Sequence, residues 1–295
     1  MELTKNYKLI NGRRIATEIK QEITNSVAER KKLNKKIPHL AIIMVGDDGP
    51  SQTYIDLKVK ACKDVGFQYS MMRFADTISE DRLCRHIASV NEDDDVDGFI
   101  VQLPLPQQIS VERITEKISP EKDVDGFTNR NFGSIISKVP LLMPATPFGV
   151  LELLRRYDIE TEGKYCVVVG ASRIAGAPLS MMLVEQGRAT VTLCHKYTRQ
   201  LEQYTTKADI LFSAVGIPKL IKADMVKEGA VVIDIGTTKV DNPASPNGFS
   251  LCGDVDFEEV APKCSFITPV PGGVGPMTIA SLLLNTLRAT ALRNP

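Results

Sequence analysis

"CVVVGASRIAGAPLSMML", residues 166–183, is the stretch whose reading decides the fold. A β-branched run, Cys166-Val167-Val168-Val169, stops at Gly170, crosses a short loop and enters an apolar stretch, as the first strand, turn and helix of a dinucleotide-binding unit do. In the fingerprint G-x-G-x-x-G/A the first glycine makes the tight turn. The second lets backbone approach the pyrophosphate, and the third lets helix and strand pack closely. Aligned on Gly170, the chain offers Gly170, Ser172 and Ala175, with Gly176 next. Ser172 can donate its hydroxyl to a phosphate, and the helix N-terminus adds backbone donors and a favourable dipole. Taken alone, the same loop also reads as a strand-to-helix turn with small residues for packing.

The following strand favours the nucleotide. An acidic residue near its end suits the ribose 2′-hydroxyl of NAD, and a basic one suits the 2′-phosphate of NADP. Here "VTLCH" (191–195) is followed by Lys196, and no acid occurs before Glu202. His195 reads as a strand-end residue, since the three histidines (His39, His86, His195) cluster nowhere.

Further strand-like runs occur at 40–46, 97–105, 190–195, 208–216 and 230–236, with helical spacing between them. Ile15, Ile19, Ile23 and Val27 recur every four residues, and Leu83, Ile87 and Val90 share one helical face. Alternating strand and helix predicts an α/β chain with parallel sheets covered by helices. The segment from about 128 to 148 breaks this rhythm with Asn, Gly and three prolines, and reads as an irregular crossover between two domains. Residues 1–147 form the first and 148–276 a Rossmann-type second, with 277–295 a helix returning to the first.

Lys plus Arg and Asp plus Glu both total 36, so no global field draws the chain to nucleic acid or an anionic membrane. A small-molecule substrate is the better expectation. No run reaches the roughly 18 apolar residues needed to span a bilayer, and the N-terminus has no apolar leader. The six cysteines form no C-x-x-C pair, which predicts packed thiols in a reducing cytoplasm and no metal site.

Upstream, Tyr54 and Lys58 lie four apart on a helix whose start signals are Pro50 and Ser51. Tyr-x-x-x-Lys is most often a surface pair. Gln102 ends an apolar strand in "VQLPLP" (101–106), so it either meets solvent or faces a site, and Leu103-Pro104 is a candidate cis bond. "DVDGF" occurs at 95–99 and again at 123–127. The first copy is explained as a turn into a strand, while the second leaves a structural and a functional reading open. "TPVPGGVGPMT" (268–278) lets backbone approach a ligand closely and is too apolar for a simple linker.

Taken in order, "PSQTYIDLKVKAC", "DGFIVQLPLP", "PEKDVDGF", "PATPFGVLELL", "GKYCVVVGASRIAGAPL", "VIDIGTTKV", "GDVDF" and "TPVPGGVGPMT" resemble the bifunctional 5,10-methylenetetrahydrofolate dehydrogenase/5,10-methenyltetrahydrofolate cyclohydrolase family. The resemblance covers essentially the whole chain and is closer to the bacterial stand-alone form than to larger eukaryotic forms with a synthetase domain. It implies a folate-binding domain, a Rossmann-type domain with a cleft between the two, and a homodimer in one-carbon metabolism and purine biosynthesis. It implies NADP, with NAD as the alternative, and tetrahydrofolate derivatives as substrates.

By the same resemblance, Lys58 is the catalytic lysine, Gln102 orients it, Tyr54 stacks on the folate and Asp125 binds the pterin. Ser51, Pro271 and Gly272 join Tyr54 and Asp125 around the substrate. Gly170, Ala171, Ser172, Ile174, Lys196, Gly236, Thr237, Gly275 and Thr278 contact the cofactor. A cationic folate disfavours a second cation beside it, which would leave Lys58 able to act as a base toward water. Two positions depart from the family pattern. Ala171 stands where an arginine near the 2′-phosphate is common, with Lys196 and Arg173 as its candidate replacements. Ala145 stands where a cysteine is common.

Overall fold

A computed structural model describes residues 7–294 except 48, 138–140 and 246–247, and except the side chains of 49–51. The first elements are β1 (Lys8–Leu9), α1 (Gly12–Lys32), β2 (His39–Val45), α2 (Gly49–Val65), β3 (Gln68–Phe74), α3 (Glu80–Glu92), β4 (Gly98–Val101), α4 (Val111–Thr115) and α5 (Asn129–Ile136). They are followed by α6 (Ala145–Arg156), β5 (Tyr165–Val169), α7 (Gly176–Glu185), β6 (Thr190–Cys194), α8 (Glu202–Thr205), β7 (Ile210–Ser213) and β8 (Val231–Asp234). The last are β9 (Thr238–Asp241), β10 (Phe249–Cys252), α9 (Phe257–Val260), β11 (Phe266–Ile267) and α10 (Val274–Arg293). All six strand-like runs of the sequence are strands. The chain divides into two units, Thr17–Ala145 with Ile279–Pro295, and Met1–Ala16 with Thr146–Thr278.

The first of these units is built on a parallel sheet in the order β3-β2-β4. Parallel sheets need both faces covered, and the central strand is apolar on both. Ala41, Ile43 and Val45 pack with Phe99, Val101 and the α3 residues Leu83, Ile87 and Val90. Leu40, Ile42 and Met44 are buried on the opposite face. The four-residue repeat of α1 is buried as expected, Ile19, Ile23 and Val27 in this unit and Ile15 in the other, each contributing about 1.5–3 kcal/mol of burial. Strand β3 has no apolar run to announce it, because it lies at the sheet edge with much of its surface exposed.

Two expectations need correcting here. The segment from about 128 to 148 is not irregular throughout: it holds α5 and the start of α6. Thr128 caps α5 by accepting the Asn131 N–H at 3.3 Å, and Asn131 and Ile135, four apart, are buried. The final helix begins at Val274, three residues before Met277. Its Asn285 amide donates to the carbonyls of Val124 and Met143 at 2.8 and 2.7 Å, which ties the helix to the loop carrying Asp125.

The other unit holds a six-stranded parallel sheet in the order β1-β11-β8-β7-β5-β6. Without β1 this is a doubly wound sheet whose order reverses at β5. The carboxyl ends of β5 and β7 therefore form the switch point, where such sheets bind ligands. Residues up to Ala16, grouped with the first domain in the sequence reading, belong with this sheet because Lys8 and Leu9 pair with Phe266 and Ile267. A two-residue strand offers no periodicity to read. Cys166 and Cys264 are core residues of this unit and Cys62 of the other, their thiols pushed up to about 12 by burial.

Candidate active site and dinucleotide turn

Lys58 sits in the middle of α2, its side chain buried to 9% exposure, while Tyr54 one turn earlier is 48% exposed. Gln102 immediately follows β4, where its N–H completes the ladder to the Ile43 carbonyl at 2.9 Å. Its Nε2 donates to the Leu103 carbonyl at 2.7 Å, so its Oε1 is turned toward Lys58 and accepts the Nζ at 3.1 Å. The peptide bond that follows, Leu103–Pro104, is cis.

Asp125 is held by its neighbours. Asp123, 1% exposed, accepts the N–H groups of Gly126, Phe127 and Thr128 at 3.0, 3.1 and 2.8 Å and the Asn131 amide at 2.9 Å. This nest folds the loop back through Gly126, whose φ is +74° and whose Cα faces Pro144 so closely that a Cβ would lie 2.5 Å from its nitrogen. Asp125 is thereby presented half-buried. Burial raises its carboxyl above the usual range, the Lys58 charge offsets part of that rise, and Asp123 adds to it. Lys58, Gln102 and Asp125 thus form one electrostatic group within a single unit. The Ser51 side chain lies outside the described residues. Asp123 and Asn131 had no sequence signal beyond the repeated pentapeptide.

The remaining candidates belong to the other unit. Gly170 follows β5 with φ +109°, and a Cβ there would be 2.3 Å from the Ala214 carbonyl oxygen. The close helix–strand approach falls at Gly176, not Ala175: a Cβ on Gly176 would be 1.6 Å from the Gly170 oxygen, whereas Ala175 is the half-buried residue before the helix. The third glycine of the fingerprint is therefore displaced by one residue. Ala171, Ser172 and Ile174 are exposed, as is Lys196.

Gly236 is buried against Asp254, and Thr237 beside it is exposed. In the loop before α10, Val270–Pro271 is cis, and Gly272, at φ +108°, gives its carbonyl to the Arg13 N–H at 3.1 Å. Gly275 is exposed, and Thr278 shares a 3.1 Å hydrogen bond with Thr146. Among the described residues no cluster of His, Cys, Asp and Glu is arranged to hold a metal, and no helix is long and apolar enough to cross a membrane.

Two family models match the chain. The catalytic-domain model of tetrahydrofolate dehydrogenase/cyclohydrolase matches residues 10–125, and the NAD(P)-binding-domain model of the same family matches 144–294. The chain belongs to the tetrahydrofolate dehydrogenase/cyclohydrolase family. It is 50% identical to the bifunctional protein FolD of Cytophaga hutchinsonii, over 97% of this chain and 100% of that one. The FolD methylenetetrahydrofolate dehydrogenase/cyclohydrolase of Campylobacter jejuni superposes with a TM-score of 0.92 at 42% identity, covering 97% of this chain and 99% of the other. The Trypanosoma brucei enzyme, solved with NADP and an inhibitor, gives a TM-score of 0.92 at 37% identity over 97% and 98%. The dehydrogenase/cyclohydrolase family thus accounts for both units and for nearly every residue of the chain.

Proposed function

We propose that the chain oxidises 5,10-methylenetetrahydrofolate with NADP and hydrolyses the resulting 5,10-methenyltetrahydrofolate to 10-formyltetrahydrofolate, with Lys58 as the catalytic lysine. The observation that carries this reading is the buried Lys58 held by a neutral amide at 3.1 Å within the field of Asp125, in a chain that its family matches along nearly its whole length.

The cofactor fits the turn after β5. Gly170 and Gly176 remove side chains where backbone must close up, and the residues at 171–174 are exposed. The dinucleotide held there would supply the acceptor for the hydride that leaves the one-carbon bridge. The work of the chain is to orient and to move protons. Gln102 fixes the Lys58 rotamer without adding charge, because its own amide is locked to the Leu103 carbonyl. Lys58 Nζ acts as the base that takes a proton from the water whose oxygen adds to the one-carbon centre. When the hydrated ring opens, the added hydroxyl gives up its proton as its oxygen forms the formyl C=O, the C–N5 bond breaks with its electron pair going to N5, and N5 takes up a proton.

Asp125 accepts a ring N–H and the exocyclic amine of the pterin in parallel. Tyr54 stacks on the folate, and Ser51, Pro271 and Gly272 complete its surroundings. Ala171, Ser172, Ile174, Gly236, Thr237, Gly275 and Thr278 line the dinucleotide, and Lys196 with Arg173 takes the 2′-phosphate in place of an arginine at 171. We also infer a homodimer, which sedimentation velocity at micromolar concentration would detect.

The central test is Lys58→Met. Methenyltetrahydrofolate hydrolysis should fall by about 10²–10⁴-fold while folate still binds. Enzymatic hydrolysis close to wild type would refute the role of Lys58. Kinetics with NADP and NAD side by side, in wild type and Lys196→Ala, test the 2′-phosphate assignment. The variant should lose affinity for NADP and keep its affinity for NAD.

A further inference from the structure

Two carboxylates are buried at the carboxyl edge of the six-stranded sheet, and nothing in the reading above uses them. Asp234 closes β8 at 3% exposure, and Asp254, in "GDVDF", is fully buried. Among the described residues neither makes an ion pair. A buried carboxylate without a counter-charge is costly unless fixed donors satisfy it, and each of these is satisfied almost entirely by backbone. Asp234 accepts the N–H groups of Gly236, Asp254 and Val255 at 3.1, 3.0 and 2.9 Å. Burial nevertheless pushes its carboxyl up to about 7. Asp254 accepts the Val215 N–H and the Ser213 hydroxyl at 2.7 and 3.0 Å on one oxygen, and the Ile217 N–H at 3.0 Å on the other.

These bonds converge on the switch point. The segment after β7 is exposed from Gly216 to Lys219, yet its amides at 215 and 217 are turned inward onto Asp254. Its first residue, Ala214, is the backbone against which the Gly170 turn leans, since a Cβ on Gly170 would meet the Ala214 oxygen at 2.3 Å. The same carboxylate fills the space a side chain at Gly236 would need, 2.0 Å from the ideal Cβ position. One buried group therefore fixes the backbone of the loop after β7, which abuts the Gly170 turn, and packs against Gly236.

We infer that Asp254 is a positioning residue for the dinucleotide: its carboxylate holds the backbone of 215–217 and packs against Gly236 in the arrangement that receives the cofactor, without touching the cofactor. This rests on the reading of the turn after β5 as the dinucleotide site, and it goes beyond that reading because it locates part of the cofactor affinity in a buried side chain. Asp254→Asn is the sharp variant. The amide keeps size and shape but sets an NH2 group against donors that all require an acceptor, with only the Ser213 hydroxyl able to turn round.

Calorimetric titration of the folded variant with NADP should show affinity lowered about tenfold or more, with a matching rise in KM for NADP. Methenyltetrahydrofolate hydrolysis, which uses no nicotinamide, should stay within about twofold of wild type. Hydrogen exchange at Val215 and Ile217 should accelerate in parallel. Unchanged NADP affinity, or equal losses in both activities, would overturn the assignment, since a purely structural residue moves the two together. If Asp254→Asn does not fold, Ser213→Ala decides. It removes one of the three donors and should weaken NADP binding by a smaller factor in the same direction, and an unchanged affinity would again overturn the proposal. Wild-type chain that binds no NADP would sink the underlying reading, and this inference with it.

Discussion

The pentapeptide Asp-Val-Asp-Gly-Phe occurs twice, at 95–99 and 123–127, and the two copies do opposite things with the same five side chains. They are also neighbours. Phe99 donates its N–H to the Lys122 carbonyl at 2.9 Å, and Gly98 lies so close to Val124 that a Cβ would approach its Cγ1 to 2.2 Å. In the first copy the second aspartate is the structural one. Asp97, fully buried, accepts Lys36 Nζ at 2.8 Å and the His39 N–H at 3.0 Å, while Asp95 points to solvent. In the second copy the roles swap, with Asp123 buried in a nest of amides and Asp125 presented. The glycines explain the exchange. Gly98 continues into β4, whereas Gly126 adopts φ +74° and reverses the chain, so successive side chains leave in different directions. Identical sequence takes its role from what donors surround it.

That contrast can be broken experimentally, and the largest effect is expected in the first copy. Asp97→Ala leaves the half-buried His39 N–H without its acceptor and removes the carboxylate that pairs with Lys36 and Arg293, although Lys36 keeps the Asp94 carbonyl. It should cost about 2–3 kcal/mol in urea unfolding, less than for a dry pair because Lys36 keeps contact with water. The activity of the protein that remains folded should be unchanged, and a loss of folate affinity there would erase the distinction between the copies. Asp125→Ala should do the reverse, lowering folate affinity and with it both activities by about 10–100-fold while the unfolding midpoint barely moves. An unchanged folate titration would contradict its role.

A smaller effect sharpens the same point through pH. Asp125 must be ionised to accept two N–H groups, and burial raises its pKa, so folate affinity should decline as pH falls through a range where an ordinary aspartate is still charged. Lys58 lowers that pKa, so Lys58→Met should move the midpoint of this decline upward. A midpoint that stays put in the variant would mean the two groups do not communicate. Least of all should follow from Asp95→Ala, within about 0.5 kcal/mol in stability and silent in both assays.

How much of this was legible beforehand depended on which physical signal each feature emits. The central strands β2, β5, β7 and β8 announce themselves because a parallel sheet buries both faces and so demands unbroken β-branched runs. Edge strand β3 and the exposed two-residue β1 bury little and emit nothing, and β11, although its Ile267 is fully buried, is too short for a period to show. Of the candidate site, Lys58 and Gln102 were nameable from "YIDLK" and "VQLP" only with the family resemblance, since neither the spacing nor a polar strand end is specific. That resemblance also paired the two, but the geometry of the pair, Gln102 Oε1 turned to Lys58 by its amide's bond to the Leu103 carbonyl, was not legible. The groups that hold the site were missed altogether: Asp123, Asn131, Asp234 and Asp254 act through backbone amides distant in sequence or in loops. The displaced close-packing glycine was missed for a related reason. Whether Ala175 or Gly176 abuts the Gly170 carbonyl depends on where the helix begins, which composition does not reveal.

The turn after β5 divides its labour in a way that matters for how this protein can change over time. Everything the sheet and helix require of it is concentrated in Gly170 and Gly176, where a single methyl would collide with backbone. The exposed residues between them answer to whatever lies outside the turn, not to the packing beneath it. Substitutions at Ala171 or Ile174 can therefore drift, or be selected in the laboratory, at almost no expense in foldedness. On the proposed placement of the cofactor against these residues, preference between the two nicotinamide coenzymes would be a trait that a lineage could exchange by one or two steps at the surface, while the architecture beneath it stays as it is.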